Sequence, residues 1–182
     1  IMTDLIKRSN RKIKVLNLFA YTGAASVECA LAGAEVTHVD AAKSMIDIAK
    51  INAKLNNISN IRYILDDCMK FVQREIRRGN KYDAIIMDPP SFGRGPKGET
   101  WKIEDNIYEF VKNCAKLLSK EPLFVLINSY TTGLQPTVMS NILNATIQNG
   151  ETYSYEVGLP TLEKGIVLPC GCSAIKIFEG NI

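Results

Sequence analysis

The chain has a single histidine, His38, and its five cysteines stand at 29, 68, 114, 170 and 172. An odd count without framework spacing argues against a disulfide scaffold, and a reducing cytoplasm is the expected location. Cys170-Gly171-Cys172 offers half of a zinc site, but no second cysteine or histidine pair accompanies it, so no metal is expected. No apolar run has the length needed to cross a bilayer, and neither a membrane contact nor a signal peptide is expected. Charge of one sign is also scarce: the net charge of +3 permits a polyanionic partner without requiring one. What is present is ordinary for a globular protein, with 46% hydrophobic and 23% charged residues. A chain of 182 residues can bury one full core, so residues 1–182 are expected to be one domain. Because residue 1 is isoleucine, that domain is expected to be the C-terminal part of a longer chain.

The most informative stretch is 82–92. Residues 84–87 form a continuous apolar run, as in a strand buried on both faces of a parallel sheet. The run stops at Asp88, and Pro89 and Pro90 have no backbone N–H with which to extend a ladder. The result is a stiff turn that carries a carboxylate and, at Phe92, a ring. In open α/β sheets that edge holds ligands. Asp88 and the proline carbonyls can accept hydrogen bonds from an amino or imino group of a flat heterocycle, while Phe92 covers its face. Taken alone, the stretch also reads as a strand end with a proline stop.

Strand and helix patterns alternate around it. Strands are read over 13–18, 35–40, 61–65 and 123–127, and helices over 3–10, 24–32, 43–56, 68–78, 103–119 and 135–148. In the first helix Leu5 and Ile6 point inward. Met45, Ile48, Ala49 and Leu55 are the expected core face of the 43–56 helix. Phe71, Val72 and Ile76 are that of the 68–78 helix, with Arg74, Arg77 and Arg78 in solvent. The clearest stripe joins Ile103, Ile107, Phe110, Val111, Cys114, Leu117 and Leu118. Residues 91–100 read as a loop rich in glycine, proline and lysine. Tyr153, Tyr155, Val157 and Leu159 then alternate, and 173–178 is a last strand; with no helix between them, the two should pair antiparallel. Five β-α repeats followed by a hairpin predict a three-layer α/β fold, with a mostly parallel sheet and one antiparallel strand near its edge.

The turn after the first strand reads Asn17-Leu18-Phe19-Ala20-Tyr21-Thr22-Gly23-Ala24. A pyrophosphate cradle would want Gly-x-Gly-x-x-Gly. One glycine and two bulky rings suit instead a nucleoside or amino-acid-like ligand without a diphosphate, with the following helix end free to take a carboxylate. Asp40 ends the second strand, where it can accept from both hydroxyls of a ribose. Asp67 follows the third strand, where it can accept from an adenine amino group, with the Cys68 N–H near the ring. Each acid alone reads first as a helix cap or a solvated strand end. A glycine turn and three strand-terminal acids on one edge describe a pocket for S-adenosylmethionine.

Residues 15–23, Val39-Asp40, Asp66-Asp67 and 87–92 resemble class I S-adenosylmethionine-dependent methyltransferases, whose Rossmann-like sheet agrees with the fold expected above. Within that class, residues 13–128 look like enzymes that methylate 23S ribosomal RNA at cytosine C5 or guanine N7. The resemblance implies that Phe19, Ala20, Tyr21, Thr22, Gly23 and Ala24 line the methionine end of the cofactor. By the same likeness Asp40, with Ala41, holds the ribose, and Asp67, with Cys68, holds the adenine. Asp88, Pro89, Pro90 and Phe92 would face the acceptor, with Asp88 also at the cofactor. S-adenosylhomocysteine would be the product and RNA the partner. One departure bears on the chemistry: cytosine C5 needs a cysteine that adds to C6. In the resembling enzymes that cysteine follows strand four or five, and here 88–91 and 128–131 contain none. A base nitrogen is therefore the expected acceptor, with 93–98 as a basic phosphate clamp or lid. The other readings are a small-molecule or protein-side-chain methyltransferase and a non-catalytic cofactor-binding module.

Overall fold

The computed structural model describes residues 1–94, 100–178 and 180. In chain order the elements are α1 (Met2–Arg8), β1 (Lys14–Leu18), α2 (Ala24–Leu31), β2 (Glu35–Asp40), α3 (Lys43–Leu55), β3 (Ile61–Leu65) and α4 (Cys68–Arg78). There follow β4 (Ala84–Met87), β5 (Phe92–Arg94), β6 (Thr100–Lys102), α5 (Ile103–Ala115), β7 (Phe124–Ser129), α6 (Pro136–Thr146), β8 (Glu151–Pro160) and β9 (Val167–Ile177). The main sheet has the order β3-β2-β1-β4-β7-β9-β8. The first five strands of that order are parallel, and β9 runs against both its neighbours. Strand order reverses between β1 and β4, and their carboxyl ends splay a crevice there.

Alternation along the central strands builds a core on each face. Leu16, Leu18, Ile85 and Met87 pack with α4, α5 and α6 through Phe71, Phe110 and Leu143. Val15, Ala84 and Ile86 pack on the other face with α1, α2 and α3 through Leu5, Val27 and Ala53. The expected three layers and terminal hairpin are thus present.

Several local expectations are corrected. The buried face of α3 is Ile46, Ala49 and Ala53, while Ile48 and Leu55 are exposed. The reason is a close approach: a Cβ on Gly23 would lie 2.9 Å from the Ala49 Cβ, so this contact admits only small residues. On α4 Phe71 and Val72 are buried as expected, but the next buried position is Glu75, and Ile76 is only half-buried. Burial alone would raise the Glu75 pKa; donors from Tyr82 (2.7 Å), Asn80 (2.8 Å) and Arg78 (3.1 Å) outweigh it and hold the carboxyl below its usual range. Arg74 pairs with Asp66. Helix α5 stops at Ala115, although Leu117 beyond it stays buried. Part of the expected 91–100 loop is strand: Phe92–Arg94 (β5) pairs antiparallel with Thr100–Lys102 (β6), with Gly93 opposite Trp101. The 95–98 part of the expected clamp lies outside the described residues. Strand β9 starts at Val167 because it pairs with β8 beyond the end of β7.

Candidate active site

The first turn is held in an unusual backbone path. Phe19 (φ 55°), Tyr21 (φ 50°) and Gly23 (φ 86°) all take the left-handed region. For two aromatic residues that costs on the order of 1–3 kcal/mol each and persists only where surroundings enforce it. The enforcing bonds are visible. The Phe19 N–H donates to the Cys68 Sγ (3.2 Å), the Ala20 N–H to the Val39 carbonyl (3.0 Å), and the Tyr21 N–H to Asp40 Oδ2 (2.8 Å). Asn52 of α3 donates to the Thr22 carbonyl at 2.9 Å. Gly23 caps α2 without a side-chain acceptor, leaving the helix amino end to the solvent or a ligand.

The strand-terminal acids differ in their duties. Asp40 Oδ2 accepts from Tyr21, and its Oδ1 accepts from the Ala42 N–H at 2.8 Å. Each oxygen keeps a further lone pair. Asp67 caps α4 by accepting from the Lys70 N–H at 2.9 Å. Asp88 is open to the crevice yet surrounded by protein, and desolvation raises its pKa.

These acids share a cleft of about 690 Å³ at the β1–β4 switch point. Phe19, Tyr21, Asp40, Ala41, Asp67, Asp88 and Pro90 line it, all of them residues singled out by sequence. Gly93 and Arg94, from the start of the expected clamp, line it too; Ala42, Trp101 and Tyr130 line it as well, and sequence reasoning missed those three. Trp101 enters from β6: its indole N–H donates to the Pro90 carbonyl at 2.7 Å. Its ring meets Phe19 and Phe110 at centroid distances of 5.2 and 5.5 Å. A lone tryptophan between a glycine-rich segment and a helix was the available signal.

Other singled-out residues do not line the cleft. Ala20 and Gly23 are buried, and Thr22 and Ala24 are turn residues that are not part of its lining. The Cys68 thiol is a core tie, buried and pushed up in pKa by desolvation. Pro89 is buried, and the Pro90 carbonyl is already used by Trp101. Phe92 is 51% exposed on β5, its ring 5.9 Å from the Arg94 guanidinium. Trp101 joins Phe19, Tyr21 and Tyr130 among the rings that line the cleft, and Phe92 does not; Trp101 stands opposite Gly93 in the hairpin, one residue along from Phe92 and so on the other face. Among the described residues no group of three or more His, Cys, Asp or Glu side chains could hold a metal ion, and no helix is long and apolar enough to cross a membrane.

Residues 4–134 match the model of a family described as S-adenosylmethionine-dependent methyltransferase. The chain is 37% identical over 119 residues to a ribosomal RNA large subunit methyltransferase K/L of Shewanella frigidimarina, covering 63% of this chain and 16% of that protein. To the protein of that name in Shewanella oneidensis it is 32% identical over 149 residues, covering 80% of this chain and 20% of the other. The crystal structure of a SAM-dependent methyltransferase from Agrobacterium tumefaciens superposes with a TM-score of 0.92 at 37% identity, over 97% of this chain and 59% of that one. This chain therefore spans only part of the proteins it resembles. A matched model over most of the sequence, with the fold and cleft to go with it, places the chain in the S-adenosylmethionine-dependent methyltransferase family.

Proposed function

We propose that residues 1–182 are the methyltransferase domain of a longer cytoplasmic protein, and that it methylates a base nitrogen in ribosomal RNA. The observation that carries the site assignment is the convergence of the first turn, Asp40, Asp67 and Asp88 on one cleft. The residues present fit the cofactor. Asp40, with lone pairs beyond those used by Tyr21 and Ala42, accepts from the ribose hydroxyls. Asp67 and the ring of Phe19 border the adenine. The strained turn and the uncapped end of α2 take the methionine carboxylate.

When bound, the cofactor supplies a methyl group already activated on a sulfonium. What the chain adds is alignment. Asp88 holds the acceptor through a hydrogen bond from its amino or imino group. Pro90, fixed by Trp101, and the ring of Tyr130 border the cofactor cleft beside Asp88. A base inside a duplex would have to leave its stack to arrive there. The RNA assignment is supported by the names of the relatives and by the mildly basic chain.

The test is transfer from labelled S-adenosylmethionine by the full-length protein, offered total RNA and, separately, a small-molecule extract. Label in RNA, found by mass spectrometry on a base nitrogen, is the expected result. Label only in the extract would replace the acceptor class, and cofactor binding without transfer would remove the enzyme. A product of 5-methylcytosine would overturn the nitrogen assignment.

A further inference from the structure

A second concavity, of about 450 Å³, lies on the hairpin side of Asp88. The two clefts share Asp88 and Tyr130, which stand between them. We propose that this second cleft seats the methyl acceptor, and that Asn128, positioned by Ser173, donates to a hydrogen-bond acceptor on it. The inference rests on the methyltransferase reading above.

Strand register carries the placement. Asn128 on β7 pairs with Ser173 on β9, and Ser173 pairs with Tyr155 on β8. Met87 pairs with Ile127, so Asp88, the next residue after β4, comes level with Asn128. Four residues thus stand abreast across adjoining strands, a row of three strand spacings or roughly 14 Å. Two residues back along three of these strands, Ile86, Leu126 and Ile175 are buried on the same face. The row is the polar rim of an apolar floor.

Its chemistry is directional. The Ser173 hydroxyl donates to Asn128 Oδ1 at 2.6 Å, which occupies the acceptor end of the amide. The Nδ2–H donors remain for a ligand, one strand away from the Asp88 carboxylate acceptor. The Tyr155 ring, 42% exposed, ends the row and offers a face for stacking. A flat heterocycle with a donor beside an acceptor on one edge satisfies all three, and a nucleobase has such an edge. The methyl then passes from one cleft to the other between Asp88 and Tyr130.

Cys170 lines this cleft and is the one cysteine among the described residues that is not buried. Its alkylation by N-ethylmaleimide in the full-length protein reports occupancy without needing turnover. With S-adenosylhomocysteine bound, at least one of the four ribonucleoside monophosphates at millimolar concentration should slow the labelling, and Asn128→Ala should abolish that protection. Protection by S-adenosylhomocysteine alone, protection that survives Asn128→Ala, or no protection by any mononucleotide overturns the proposal. In the transfer assay Asn128→Ala should raise KM for RNA roughly tenfold, a factor set by about one hydrogen bond, with cofactor affinity kept and the melting temperature lowered only as far as in Ser173→Ala, which breaks the same bond. Ser173→Ala should do the same through the freed amide, and Ser173→Thr should restore the wild-type value. Protected Cys170 with no label in RNA would sink the RNA assignment and leave the cleft standing. Label in RNA with unchanged KM in Asn128→Ala would sink the cleft and leave the methyltransferase.

Discussion

Asp40 shows how one side chain serves two purposes. Its oxygens bind the backbone N–H groups of Tyr21 and Ala42, so it shapes the turn it is meant to work with. The same oxygens are the assigned partners of the ribose hydroxyls. Replacing Asp40 with Ala should therefore act twice. Loss of two charged hydrogen bonds to the ligand, at roughly 1.5–3 kcal/mol each as an upper scale, predicts cofactor affinity weakened by two orders of magnitude or more. Loss of the two backbone partners should cost about 0.5–1.5 kcal/mol each in stability, moderated because both amides are open to water. Calorimetric titration with S-adenosylhomocysteine measures the first and thermal unfolding the second. Unchanged affinity alongside a lowered melting temperature would reduce Asp40 to a purely architectural residue. Asp67 already shows that pattern in part, since capping α4 engages one of its oxygens.

At the scale of elements, the β5–β6 hairpin is the piece that completes the site, and Trp101 is its anchor. Its indole ties the hairpin to the turn after β4 through Pro90, and its ring packs on Phe19 of the first turn and Phe110 of α5. Ring pairs of this kind contribute about 0.5–1.5 kcal/mol each beyond their buried area, and the hydrogen bond a similar amount. Trp101→Ala should thus destabilise the protein by about 2–4 kcal/mol and weaken cofactor binding, because Phe19 loses the partner that helps hold its left-handed backbone. Trp101→Phe should keep most of the ring contact and lose roughly the hydrogen bond alone, about 1 kcal/mol. As the only tryptophan in the chain, Trp101 is also its own probe: cofactor titration should change the intrinsic fluorescence of the wild type. A flat titration in a protein that calorimetry shows to be binding would place the ligand away from the hairpin.

Across the whole molecule, two-sided burial was legible in the unbroken apolar runs of 84–87 and 124–127, and the acids at the ends of β2, β3 and β4 stood out beside them. Ala84 to Met87 followed by Asp88 is the plainest case. Contacts set by distant partners were not legible. Nothing near Ile48 in sequence says that the Ala49 face of α3 must pass within van der Waals reach of Gly23. Nothing near Cys68 says that its sulfur will take the Phe19 N–H, nor does the 91–100 segment declare that Trp101 will reach back to Pro90. His38 is the most consequential of these long-range outcomes. It is fully buried in β2, bonded through Nδ1 to Ser26 of α2 at 3.0 Å, and Ser26 in turn accepts from Asn17 of β1 at 2.9 Å. Desolvation pushes its pKa down to about 4 against a weaker opposing pull from Asp40. In the unfolded chain the imidazole titrates near its ordinary value of about 6.5. Between those limits the unfolded state takes up a proton that the folded state refuses, so stability is fully present above about pH 6.5 and is lost as the pH falls toward 4. A shift of that size corresponds to about 3 kcal/mol, or roughly 6–12 °C in melting temperature for a domain of this length. His38→Gln should start less stable at neutral pH, since the Ser26 bond and the Tyr63 ring contact are disturbed, and should then lose less on acidification. The carboxylates titrate alike in both proteins, so the difference between the two melting curves from pH 7 to pH 4.5 isolates the histidine. Parallel curves would mean that the imidazole is already protonated inside the sheet, which its burial among Asn17, Ser26 and Tyr63 makes costly.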